Sequence, residues 1–188
     1  MGIYSGIAQD NPTLNGGTAY GINLVTPKIN GTNLTATAAE INAVCDTSAR
    51  LVSATAATLA VTAADHDGKL VVLNRAAGVT VTLPAATGSG ARYEFTVGTA
   101  VTSNNNIIKV ADNTDVMSGV LAVGKPSDGT VVAFSTAAAS DTITMSGSTT
   151  GGLAGGAITL IDIAADLYAV FGDVIGSGTL ATPFSATV

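Results

Sequence analysis

Asp65-His66-Asp67-Gly68 is the one place in this 188-residue chain where side chains of catalytic type crowd together, and His66 is its only histidine. Nucleophilic catalysis of the Ser/His/Asp kind would have to run through that imidazole, which takes and returns a proton near neutral pH. Asp65 and Asp67 belong to a turn-forming sequence that gives them no fixed direction toward the ring, so the group reads as a solvated turn. Asp65-x-Asp67-Gly68 also has the opening of a calcium loop, but the bidentate Glu that closes one is missing downstream. Glu40 and Glu94 are the only glutamates. Glu94 is placed to pair with a cross-strand cation, whereas glycoside hydrolysis needs two carboxyls flanking one bond. Gly151-Gly152-x-x-Gly155-Gly156 lacks the Lys-Ser/Thr and the following helix of a phosphate loop, and reads as a mobile loop. Cys45 stands alone, so it forms no internal disulfide and reads as a small packed hydrophobe. No residue earns a catalytic, cofactor or metal role, and the chain reads as a non-enzyme.

The elements that would have to position such residues are strands. Val79, Val81 and Leu83 alternate with threonines, and Tyr93, Phe95 and Val97 alternate with Arg92, Glu94 and Thr96. A period of two puts successive side chains on opposite faces of a pleated backbone. Pro84 denies the ladder a donor and ends the first of these strands. Leu70 to Leu73 is apolar on both faces, as in a central strand. Further strands are expected at Ile107–Val110, Val116–Val123, Thr130–Phe134, Asp141–Met145, Ala157–Ile163 and Leu167–Phe171. A last one, over Thr179–Val188, is notched by Pro183 and belongs at an edge. Turn signals every 8 to 12 residues complete the pattern of an all-β, antiparallel β-sandwich, jelly-roll-like. There is no repeat of fixed period, which disfavours solenoids and propellers.

Before this body, residues 1–36 read as an extended N-terminal arm, because Asn11-Pro12, Asn15-Gly16-Gly17, Thr26-Pro27 and Asn30-Gly31 are breakers spaced too closely for a core element. Ile3, Tyr4, Ile7, Tyr20, Ile22 and Leu24 come before and between them in short apolar bursts. Such a segment can order by lying along another chain, and these six are the expected partner contacts. Residues 37–49 hold one short helix, over about Ala38 to Asp46, announced by the capping box Thr37-x-x-Glu40. Residues 50–188 make the sandwich.

Composition narrows the partners. Charged residues are 11% against about 25% in an ordinary soluble domain, aromatics are 4% without tryptophan, and mean hydropathy is +0.47. A membrane span would need about 20 apolar residues in a row, and the best candidate, Gly155 to Ile175, is broken by Asp162, Asp166 and Asp173. No secretory leader is expected, since the first basic residue is Lys28. A net charge of -6 with seven singly scattered basic residues gives nucleic acid no patch to bind. A surface so poor in charge belongs inside an assembly.

Two stretches carry a resemblance. Leu34 to Val44, LTATAAEINAV, is similar to a segment that joins an extended N-terminal part to a β-rich body in tailed-phage virion proteins. Asp65 to Thr99, with the ending Ala181 to Val188, resembles the head decoration (cement) proteins of tailed bacteriophages. That family implies a small β-sandwich that sits as a homotrimer at three-fold and local three-fold positions outside the expanded head. It would grip the major capsid protein, bridge capsomers and stabilise the shell, after synthesis in the host bacterial cytoplasm. The first motif also occurs in phage fibres, so the alternative is a head- or tail-fibre subunit that attaches to the host surface.

Overall fold

The computed structural model describes residues 28–29, 32–33, 35–37, 41 and 50–188. The chain divides into two units, Met1–Cys45 and Asp46–Val188. In the first, β1 (Lys28–Ile29) and β2 (Thr32–Asn33) pair antiparallel, Lys28 with Asn33 and Ile29 with Thr32. Ile41 is helical, and its amide donates to the Thr37 carbonyl at 3.0 Å, the i→i+4 bond of a helical turn. The rest of the expected helix, with Glu40 and Cys45, lies outside the described residues.

The second unit is all-β and sandwich-like. Its strands are β3 (Leu51–Ala54), β4 (Thr58–Ala60), β5 (Leu70–Leu73), β6 (Thr80–Thr82), β7 (Arg92–Val97) and β8 (Asn106–Lys109). They continue with β9 (Val116–Lys125), β10 (Thr130–Ser135), β11 (Thr142–Met145), β12 (Leu153–Ala164), β13 (Leu167–Ile175) and β14 (Phe184–Ser185). One sheet of seven strands runs β10-β9-β13-β12-β7-β5-β3, and a second of five runs β14-β11-β8-β6-β4. Among the described residues no helix is long and apolar enough to cross a membrane.

One apolar core binds the two sheets. Tyr93, Phe95, Leu160 and Tyr168 from the larger sheet and Val81, Ile108, Ile143 and Met145 from the smaller all belong to it, each at most 1% exposed. The inward set of β7, Tyr93, Phe95 and Val97, is the one its alternation predicts. Tyr93 and Tyr168 rings meet tilted at 56° with centroids 6.4 Å apart, an arrangement aromatic quadrupoles favour.

The pairing is mixed, which corrects the antiparallel, jelly-roll-like expectation. β3 with β5, β5 with β7, β4 with β6, β6 with β8 and β9 with β13 all run parallel. The reason is the path of the chain. From β3 to β8 each strand lies in the sheet opposite its predecessor. The chain therefore coils around the core and returns to each sheet in the same direction, the strand across the core serving as the crossover that parallel neighbours require. Among the described residues of the second unit, only the β9–β10 and β12–β13 connections are hairpins between consecutive strands.

The glycine-rich stretch also departs from expectation. Gly155 and Gly156 lie within β12 at a register shift, and Gly151 and Gly152 are buried. A Cβ on Gly156 would come within 2.6 Å of the Asp173 carbonyl oxygen, and one on Gly151 within 2.6 Å of a Val174 methyl. These glycines serve close backbone approach rather than mobility.

Candidate functional site

The six expected contact residues, Ile3, Tyr4, Ile7, Tyr20, Ile22 and Leu24, lie outside the described residues. What the structure places is the chemistry of the body, beginning with the histidine. Residues Ala63–His66 form a single helical turn, α1, with Thr62 as its N-cap. The Thr62 hydroxyl accepts from the Asp65 amide at 3.2 Å and donates to the Asp65 carboxylate at 2.8 Å. His66 is 6% exposed, and its Nδ1 accepts from the Thr62 amide at 3.1 Å. It is a buried member of a capped turn, not of a solvated one. Asp67 accepts from the Arg92 amide at 2.8 Å, so both flanking carboxylates are committed to partners other than the imidazole. Glu94 pairs with Arg92 two residues earlier on its own strand, its Oε1 2.9 Å from Nε. The expected cross-strand pair is replaced because residues i and i+2 share a face of the sheet.

The dominant polar feature of the body is Asp162, on β12. It continues the inward phase of Ile158 and Leu160 and is 2% exposed. Its carboxylate accepts from the amides of Thr87 (3.0 Å), Gly88 (2.6 Å) and Ser89 (3.0 Å) and from the Ser89 hydroxyl (2.6 Å). Burial opposes ionisation there, but the bonds from Ser89, Thr87 and Gly88 outweigh it and hold the pKa down at about 2. Gly88, at φ +76°, gives the loop the turn that aims consecutive amides at one anion.

Two more groups fasten the same loop. The Tyr168 hydroxyl donates to the Pro84 carbonyl at 2.8 Å. Asp115, 1% exposed, accepts from the Ala86 amide with both oxygens at 3.3 Å. Burial pushes the Asp115 carboxyl up, and the fields of Asp112, Asp166 and Asp162 add to the rise despite the Ala86 bond. The Tyr168 phenol is raised as well, by burial first and then by Tyr93, Asp162 and Asp115. Carboxylates gather around residues 84–90, and those of Asp162 and Asp115 hold main chain. Asp162 stands in the strand expected over Ala157–Ile163, and Asp173 stands in β13, beyond the expected end at Phe171. A legible signal for Asp162 was its phase: an aspartate in step with Ile158 and Leu160 must be buried, and a buried carboxylate needs donors.

Among the described residues no group of three or more His, Cys, Asp or Glu side chains is placed to hold a metal ion. A surface cleft of about 300 Å³ lies beside the starts of β9 and β13, lined by Val116, Met117, Ser118, Thr136, Ala137, Ala138 and Leu167. None of these side chains titrates, so the cleft offers shape without acid–base chemistry.

The other surface feature is the outer face of the seven-stranded sheet. Register aligns Ser135, Val120, Phe171, Thr159, Glu94, Leu70 and Leu51 in one row across all seven strands. Val120 and Phe171 are 44% and 45% exposed, and Leu51 is 59% exposed. The Arg92 guanidinium carbon sits 6.0 Å from the Phe171 ring centroid, so the aromatic face holds a cation. This face can bind by apolar contact. Comparison with protein-family models, with curated proteins and with solved structures returned no match for the chain.

Proposed function

We propose that this chain is a virion component of a tailed phage, a decoration protein on the outside of the expanded head. In this reading it acts as a homotrimer at three-fold and local three-fold positions, contacts the major capsid protein and bridges neighbouring capsomers. The observation that carries the reading is the likeness of LTATAAEINAV (Leu34 to Val44), Asp65 to Thr99 and Ala181 to Val188 to proteins of that kind. The outer sheet face lends support, because its row of Val120, Phe171 and Leu51 leaves apolar surface that an assembly would bury. The role of the body's acids is in keeping with it too: Asp162 and Asp115 are committed to main-chain amides.

The mechanism is binding energy alone. A subunit that binds the expanded shell and not its precursor stabilises the expanded state by mass action, and the effect multiplies over many sites. The test is a count. Purified virions are analysed for this chain against the major capsid protein by quantitative mass spectrometry. Near-stoichiometric amounts are expected. A few to a few tens of copies would reject the decoration role in favour of a fibre subunit at the host surface, and absence from the virion would reject both.

A further inference from the structure

Among the described residues, the two sheets of the second unit end in four edge strands, and three of them are short: β3 has four residues, β4 three and β14 two. Shortness is one of the ways an edge is kept from pairing with another chain; charge, proline and bulges are among the others. The fourth edge, β10, uses none of them. Thr130-Val-Val-Ala-Phe-Ser135 is six residues long, uncharged and without proline, and it pairs with β9 in unbroken register. Val131 is 66% exposed. The charges nearest in sequence before it, Lys125 at the end of β9 and Asp128 in the turn that follows, pair with each other at 2.6 Å.

The main chain of β10 shows what it can accept. The Thr136 amide donates to the Gly119 carbonyl at 3.0 Å, and main-chain groups in an antiparallel strand alternate between its two sides. The even-numbered residues therefore face β9, while Val131, Ala133 and Ser135 turn N–H and C=O to the open side. The opposite strand agrees: the Gly124 carbonyl of β9 points toward β13, where it accepts from the Gly176 amide.

We propose that β10 joins two copies of this chain, antiparallel about a two-fold axis at Ala133, into one continuous sheet. The strand is complementary to itself. With the axis at Ala133, Val131 meets Ser135 of the second copy and Ala133 meets its own counterpart, so every outward N–H and C=O of the strand finds a partner. On the core-facing side Val132 comes opposite Phe134, a β-branched and aromatic pair of the kind that stabilises neighbouring strands. Ala133, the smallest side chain of the set, is the one that must meet itself at the axis. No like charges oppose one another, and the outer face bearing Val120 is carried on from one copy to the next. Sliding the register by two residues strands outward groups at both ends, which makes the two-fold arrangement the best-satisfied one. This contact is independent of the decoration reading; if that reading holds, it would link one bridging trimer to its neighbour.

The test is sedimentation equilibrium of the full chain under reducing conditions, so that Cys45 cannot link copies, with Ala133→Pro and Val131→Lys as variants. Proline at 133 removes only the outward N–H, since that group takes no part in the β9 ladder, and edge strands tolerate it there. Wild type is expected at two copies or an even multiple, and either folded variant at half that mass, each checked for the wild-type circular dichroism spectrum. Hydrogen exchange adds a direct reading: the amides of Val131, Ala133 and Ser135 should gain protection as wild-type concentration rises. A wild type of one copy or an odd number overturns the proposal. So does an even assembly whose mass neither folded variant changes, or outward amides that never gain protection.

Discussion

Replacing Asp162 by Asn tests the central polar feature of the body. The substitution keeps the volume and one carbonyl oxygen but turns an NH2 group toward amides that are themselves donors. Four bonds of 2.6 to 3.0 Å converge on the carboxylate, three from consecutive main-chain amides. The pKa gap from the ordinary 3.8 to about 2 gives a first magnitude, roughly 2.5 kcal/mol at 1.36 kcal/mol per unit. Thr87, Gly88 and Ser89 are exposed, so the freed amides would reach water, which trims the expected loss to about 2 kcal/mol. The sign follows from the depressed pKa. The contribution is complete above the unfolded value near 4 and is lost as pH falls through about 2. Urea unfolding at pH 7, 4 and 2 measures this directly. The wild-type advantage over Asp162→Asn should be largest at pH 7, start to shrink near pH 4 and be much reduced by pH 2. A variant within about 0.5 kcal/mol of wild type at pH 7, or a gap that does not change with pH, would refute the reasoning.

Asp115→Asn should behave in the opposite way. Its folded pKa is raised, so ionisation costs stability at neutral pH, and that cost is relieved as pH falls toward the folded value. The amide oxygen of Asn can still accept from Ala86, and thermal unfolding at pH 7 should show an unchanged or higher Tm. A drop as large as that of Asp162→Asn would contradict the electrostatic account. Gly172→Ala should be among the most damaging single changes in the body. Gly172 has φ +143°, and a Cβ there would lie 2.0 Å from the Ala157 carbonyl oxygen on the paired strand. Main chain in mid-sheet cannot step aside, so a loss of about 3 kcal/mol or more is expected from urea unfolding.

Where strands lie was largely legible in the chain. Arg92–Val97 is β7 residue for residue, Pro84 follows β6 closely, and β14, one residue beyond Pro183, is an edge strand. Alternation is a local property, and the residues that express it are adjacent in sequence. The candidate site was less legible. His66 looked solvated because Asp-His-Asp-Gly is turn-like, yet the turn closes into α1 and buries the ring. Asp162 looked like an interruption of an apolar run and is instead the anchor of a loop more than 70 residues away in sequence.

The sequence by itself determined that the chain is all-β, which side chains of the regular strands face inward, and that few charges are left for its surface. Those follow from side-chain chemistry read at a period of two. Only the tertiary structure decided which strands are neighbours and in which direction they run. Alternation is the same whichever way a strand points, and the path from sheet to sheet around the core is what makes β3, β5 and β7 parallel. The tertiary structure also decided that Asp162 meets three amides of one loop and that, among the described residues, β10 has a strand on one side only. Both depend on contacts between residues far apart in the chain, which no local pattern contains.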